Sequence, residues 1–212
     1  MSSVRPIRTK ISEVSLRLIG IPSKFLNTTI SDFECSNPDL KDVRSFVKRY
    51  IEHIDDNFYN SSGIYFCGSN GVGKTMLSCV ILKEAYRHRY SCRRVTFSEY
   101  IEIYTRSWSC SSEEREVSED ELYTYYKGVE FLVLEEAGKE IDSKIAAPIL
   151  EDLLRYREDK GFVTIFCTNI DIDTMKEKYG SSIVSLIKGS MTPITIVSRD
   201  ERPQAFKERR DS

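Results

Sequence analysis

Across 212 residues the chain has a single tryptophan and two histidines, and none of its six cysteines stands in a C-x-x-C pair. That excludes a Cys/His zinc module and a small disulfide-stapled scaffold. The cysteines, Cys35, Cys67, Cys79, Cys92, Cys110 and Cys167, are scattered as in a protein of a reducing cytoplasm. Long apolar runs are also missing. Residues 1–20 carry Arg5, Arg8, Lys10 and Arg17 with no apolar core behind them, so neither a signal peptide nor a membrane span is expected. Net charge is only −2, with a pI near 5.9, so no global basic field points to nucleic acid. What is present is 40% hydrophobic and 30% charged sequence, enough for one well-filled core.

Five apolar, β-branched or aromatic runs recur: Gly63–Cys67, Cys92–Phe97, Val129–Leu134, Phe162–Cys167 and Pro193–Val197. Between them fall helix-like stretches at Thr75–Arg89, at Ser98–Arg106 with Ser98 as N-cap, and at Ser143–Arg157. Strand and helix alternating in this way predict a three-layer α/β fold with a five-stranded parallel sheet. Ahead of the first strand, 37–58 reads as one amphipathic helix with Leu40, Val43, Phe46, Val47, Tyr50, Ile51 and Ile54 on a broad apolar face. Ser107–Glu121 is serine-rich and acidic, and reads as a solvated loop entering a short helix. In open parallel sheets ligands sit beyond the carboxyl ends of the strands, so the residues just after each run carry the functional reading.

After the first run comes Gly68-Ser69-Asn70-Gly71-Val72-Gly73-Lys74-Thr75, which spells G-x-x-x-x-G-K-[ST] and is followed by Met76 in a helix-like stretch. Strand, glycine-rich turn and helix in this order form a phosphate cradle. The glycines let backbone N–H groups converge on phosphate oxygens, and the helix N-terminus adds positive charge. Lys74 then reaches the β- and γ-phosphates, and the Thr75 hydroxyl faces a Mg²⁺ ion, so ATP with Mg²⁺ is the expected cofactor. The third run ends Leu134-Glu135-Glu136, the pattern in which a first acid holds the metal and a second polarises the attacking water. Glu135 stands where Asp is usual, one methylene longer. The fourth run ends Thr168-Asn169, where the amide either orients the attacking water or forms a turn.

In this order the elements resemble the AAA+ ATPases, and within them the DnaC/IstB group of helicase loaders and transposition helpers. The resemblance covers about 15–203. It begins with Arg17-Leu18-Ile19-Gly20-Ile21-Pro22-Ser23-Lys24-Phe25, followed by Thr28-Thr29-Ile30-Ser31-Asp32-Phe33, and includes Arg155-Tyr156-Arg157 ahead of the fourth strand. It implies an AAA+ core over 21–203 with little or no C-terminal helical lid, flanked by a basic tail at 1–20 and a charged tail at 204–212. It further implies that Ile21 and Pro22 lie over the base, and that Arg202, with Arg199 competing, touches the γ-phosphate. A replicative helicase is the implied partner. The group's arginine finger is lost: in Gly180-Ser181-Ser182-Ile183-Val184-Ser185-Leu186-Ile187-Lys188 the finger position is Leu186, with Arg157 or Lys188 as substitutes. Related ATPases grip single-stranded DNA around the helix after the second strand, which here is flanked by Arg93, Arg94 and Arg106, with Trp108 among the interleaved aromatics. Tyr100 and Tyr104, at i and i+4, serve either stacking or the core.

A helicase loader that binds and hydrolyses ATP, slowly in isolation and with self-association open, is the reading that unites these features. A transposition helper shares every motif, and an ATP-gated interaction module with little hydrolysis is the other alternative. A small nucleotide kinase would place its P-loop nearer the N-terminus.

Overall fold

A computed structural model describes residue 7 and residues 10–106, 120–139 and 143–197. Strands β1 (Gly63–Cys67), β2 (Cys92–Thr96), β3 (Phe131–Ala137), β4 (Val163–Thr168) and β5 (Met191–Thr195) form one parallel sheet in the order β2-β3-β4-β1-β5. The fourth strand is thus inserted between the first and third. Side chains alternate across the sheet: Ile64 and Phe66 enter the core on one face, Tyr65 and Cys67 the core on the other. Every residue of β1 and β4 is buried, as strands covered by helices on both faces must be.

On the first face lie α2 (Pro38–Glu52), α3 (Ile54–Tyr59) and α4 (Lys74–Arg87). Asn37 caps α2 by accepting the Leu40 N–H at 2.9 Å, and Pro38 supplies a preset first turn. The single helix expected over 37–58 is broken at His53. There the Asn57 amide donates to the Tyr50 carbonyl at 2.9 Å, the acceptor that a continuing helix would offer to Ile54 N–H. On α4, Leu77, Ile81, Leu82 and Ala85 are fully buried, and each large aliphatic side chain contributes about 1.5–3 kcal/mol of burial.

The second face carries α5 (Phe97–Arg106), α6 (Ser143–Lys160), α7 (Ile172–Tyr179) and α8 (Ser181–Ser190). Helix α5 starts earlier than expected, and its cap is Thr96 rather than Ser98. Glu99 N–H donates to Thr96 Oγ1 at 3.2 Å, while Glu99 accepts the Thr96 N–H at 2.9 Å, a closed capping box. Glu13–Leu18 forms α1, capped by Ser12, and buries Leu16 and Ile19, so packed structure begins ahead of residue 21, inside the segment expected as a tail. The C-terminal tail and the place of any lid lie outside the described residues. No helix of the described residues is long and apolar enough to cross a membrane.

Candidate nucleotide-binding site

Beyond the carboxyl ends of β1, β3 and β4 opens a cleft of about 500 Å³, lined by residues 70–76, Glu135, Glu136, Lys139, Thr168 and Asn169, with Phe25 and Phe33 on its apolar side. The loop from β1 to α4 turns at Gly68, Gly71 and Gly73, all with positive φ. At Gly73 the requirement is double: φ is +97°, and a Cβ there would come within 2.6 Å of the Phe33 ring. The Leu77 N–H bonds back to Gly73 O at 3.0 Å. The N–H groups of Lys74, Thr75 and Met76 therefore precede the first closed turn, at the positive end of a 14-residue helix. This donor set suits an anionic polyphosphate.

Lys74 Nζ donates to Gly68 O at 2.6 Å, Ser69 O at 2.7 Å and Asn169 Oδ1 at 2.7 Å. Burial lowers its pKa, against the upward pull of nearby Cys167 and Cys67, and Lys139 lowers it further. Asn169 in turn donates to Asn70 Oδ1 at 2.8 Å, so the tip of β4 is tied to the phosphate loop by one side chain.

The two acids at the end of β3 differ sharply. Glu135 is 2% exposed, and its Oε1 accepts from Ser78 Oγ at 3.1 Å while Oε2 pairs with the Arg94 guanidinium. Burial works against the Arg94 charge, but Glu135 outweighs it and the Arg94 pKa moves up. Glu136 sits in a β-bulge between Glu135 and Ala137 with φ +64°. Left-handed backbone in a residue with a Cβ costs on the order of 1–3 kcal/mol and marks sites where a side chain is re-aimed. Strand alternation alone would send the two carboxylates to opposite faces of the sheet; with the bulge both line the cleft. Glu136 reaches Lys139 at 2.9 Å, and the turn between them is pinned where Gly138 N–H donates to Tyr179 Oη at 2.8 Å.

Ile21 lies 3% exposed in the core and lines no part of the cleft, because its N–H closes the end of α1 onto Leu16 O at 3.0 Å and draws it inward. Phe25 and Phe33 take the apolar wall in its place. Their segment is held by Lys83, whose ammonium donates to the carbonyls of Phe25 at 2.7 Å, Leu26 at 3.3 Å and Thr28. Sequence reasoning missed Phe33, Lys83 and Lys139. The first stood in a quoted motif, whereas the lysines carry no local signal.

Several other expected roles change. Arg157 is buried between β3 and β4, donating to Thr164 Oγ1 at 2.8 Å and to the carbonyls of Lys127, Val129, Glu130 and Val163, so it cannot serve a neighbouring subunit. Leu186 is packed inside α8, and Lys188 is exposed on the same helix. Arg93 and Arg94 are engaged within the fold, Arg93 with Leu18 O and Tyr126 Oη, Arg94 with Gly20 O and Glu135, which removes them from a DNA-facing surface. Tyr100 is fully buried, with Tyr104 against it at 6.3 Å between centroids, which settles that pair as core. Arg106 ends α5 at the surface. Trp108, Arg199 and Arg202 lie outside the described residues.

No family profile matches the chain. It is 22% identical over 169 residues to the replicative helicase loader DnaC of Buchnera aphidicola, covering 80% of this chain and 66% of that protein. To the helicase loader DnaI of Bacillus subtilis it is 23% identical, over 82% of this chain and 56% of that one. A crystal structure of the DnaC helicase loader superposes with a TM-score of 0.67 at 18% identity, covering 83% of this chain and all of that one. The chain has the fold of the DnaC helicase loader. In an open parallel sheet ligands sit beyond the carboxyl ends of the strands, which is where the cleft lies. The chain spans just under two thirds of the DnaC length and just over half that of DnaI.

Proposed function

We propose that the chain is an ATP-dependent helicase loader, which loads or remodels a replicative DNA helicase on single-stranded DNA and uses ATP as its switch. One observation carries the reading: Lys74, Glu136 and Asn169, from three different elements, converge on one glycine-lined cleft. Lys74 and the N–H groups at the start of α4 hold the polyphosphate, and Gly71 and Gly73 allow its close approach. Thr75 and Glu135 are the residues that would hold Mg²⁺, which when bound draws negative charge off the phosphate oxygens. Glu136 polarises the attacking water, and Asn169 supplies an amide beside it. Leu186 is buried in α8, so no cation at that position reaches a neighbour's site, and turnover by the isolated chain is slow.

The names of the similar proteins support a replicative helicase as partner. Arg106, exposed at the end of α5, and Trp108, which follows in the sequence, are the proposed contacts for single-stranded DNA. Turnover measured with and without single-stranded DNA and replicative helicase tests the reading, together with helicase capture by the chain. Turnover that neither component alters, and capture of a transposase in place of a helicase, would overturn it.

A further inference from the structure

Arg94, on the edge strand β2, bonds in two directions. Its Nη1 donates to Gly20 O at 3.3 Å, its Nη2 donates to Glu135 Oε2, and its own N–H donates to Ile19 O at 2.8 Å. Arg93 beside it donates to Leu18 O at 2.5 Å. Three successive carbonyls ahead of the core, Leu18, Ile19 and Gly20, therefore end on two residues of β2. The approach is close enough to require glycine: Gly20 has φ +92°, and a Cβ there would come within 2.5 Å of Arg94 O. At the other end, the Glu135 carboxylate is shared between Arg94 from β2 and Ser78 from α4. This accounts for Glu where Asp is usual, because a side chain one methylene shorter withdraws its carboxylate from both donors.

We propose that Arg94 is a positioning residue for Glu135: it fixes that carboxylate at the metal side of the cleft and passes displacements of the 18–20 segment on to it. The proposal rests on the nucleotide-site reading above. The input end is accessible, since Leu18 and Val14 are exposed on α1 while Leu16 and Ile19 anchor it. The path runs from the Gly20 carbonyl through one guanidinium to Glu135. Partners that orient metal-holding side chains are worth on the order of 10–100-fold in metal affinity when removed.

The test uses the full chain and a fluorescent ATP analogue, titrated first in EDTA and then with Mg²⁺. Arg94→Lys keeps the charge but has a single compact head that cannot serve Gly20 and Glu135 together. Its metal-free affinity is expected to stay within about twofold, while the Mg²⁺ concentration for half-maximal tightening rises by about tenfold. Arg93→Gln, which loosens the Leu18 carbonyl without touching Glu135, is expected to shift the Mg²⁺ requirement in the same direction by about two- to threefold. An unchanged Mg²⁺ requirement in Arg94→Lys would reduce Arg94 to a packing role, and a lowered one would make it a competitor of the metal; either overturns the proposal. A shift in Arg94→Lys with none in Arg93→Gln overturns the transmission. Absence of nucleotide binding by the parental chain would instead overturn the underlying site reading.

Should Arg94→Lys fold poorly, melting of ligand-free Arg94→Met, Glu135→Gln and the double variant supplies a second readout. The double variant is expected to lose less than the sum of the singles, because each single leaves a buried group without its partner. Additive losses would overturn the pairing on which the proposal stands.

Discussion

The phosphate loop, 68–76, and the segment at 180–188 are both short stretches that an AAA+ resemblance marks as functional, yet they have been used in opposite ways. In the first, Lys74 points into the cleft and bonds across it to Asn169, just after β4. In the second, Ile183, Val184, Leu186 and Ile187 turn inward and pack α8 against the sheet. In the proposed function the residues that grip nucleotide line the cleft, whereas Leu186, where the resemblance expects a cation for a neighbouring subunit, is core. On the proposed reading a single chain holds nucleotide while lacking one route to rapid turnover.

Substitutions in the two regions should therefore separate binding, chemistry and stability. Glu136→Gln is expected to retain nucleotide affinity within about twofold and to lower turnover by about 10²–10⁴-fold, the usual contribution of a positioned base. Turnover at the parental rate would remove Glu136 from the chemistry. Leu186→Ala should cost about 2–5 kcal/mol in denaturant unfolding, as buried leucine truncations do, with nucleotide affinity unaltered. A loss of affinity at parental stability would return that position to the site. Lys74→Ala should weaken nucleotide binding by about 100-fold, equal to about 2.7 kcal/mol, in a chain whose circular dichroism is unchanged. Asn169→Ala is the mildest change. The loss of one amide bridge to Lys74 and Asn70 should weaken binding by about threefold to tenfold, about 0.5–1.5 kcal/mol, and an effect as large as that of Lys74→Ala would mean that Asn169 organises the loop itself.

The same two regions show what a sequence makes legible. β1 runs from Gly63 to Cys67 as expected, because a buried parallel strand is a continuous apolar run bounded by glycine and polar residues. The phosphate loop is legible for a similar reason: its chemistry is carried by backbone, and only glycine at fixed spacing permits that backbone. Glu136 could be named from its place after the third apolar run, but not its left-handed bulge within β3, which depends on pairing between Ala137 and Thr168. Arg157 was misleading because five donors satisfied by surrounding backbone and Thr164 leave no local trace, and an arginine before a strand looks equally suited to solvent. Arg94 and Glu135 are 41 residues apart, and their pairing follows from β2 lying beside β3, a matter of topology. In α8, Ile183, Leu186 and Ile187 recur at helical spacing, a pattern that the comparison with a finger motif obscured.

The concentration dependence of turnover tests the contrast most directly. With ATP and Mg²⁺ saturating and no partner added, turnover per chain is expected to be slow and flat as protein concentration is raised over about two orders of magnitude, because Leu186 supplies no cation to a second subunit. A steep rise per chain that persists in Lys188→Ala would contradict this, and would place a trans-acting group elsewhere on the surface.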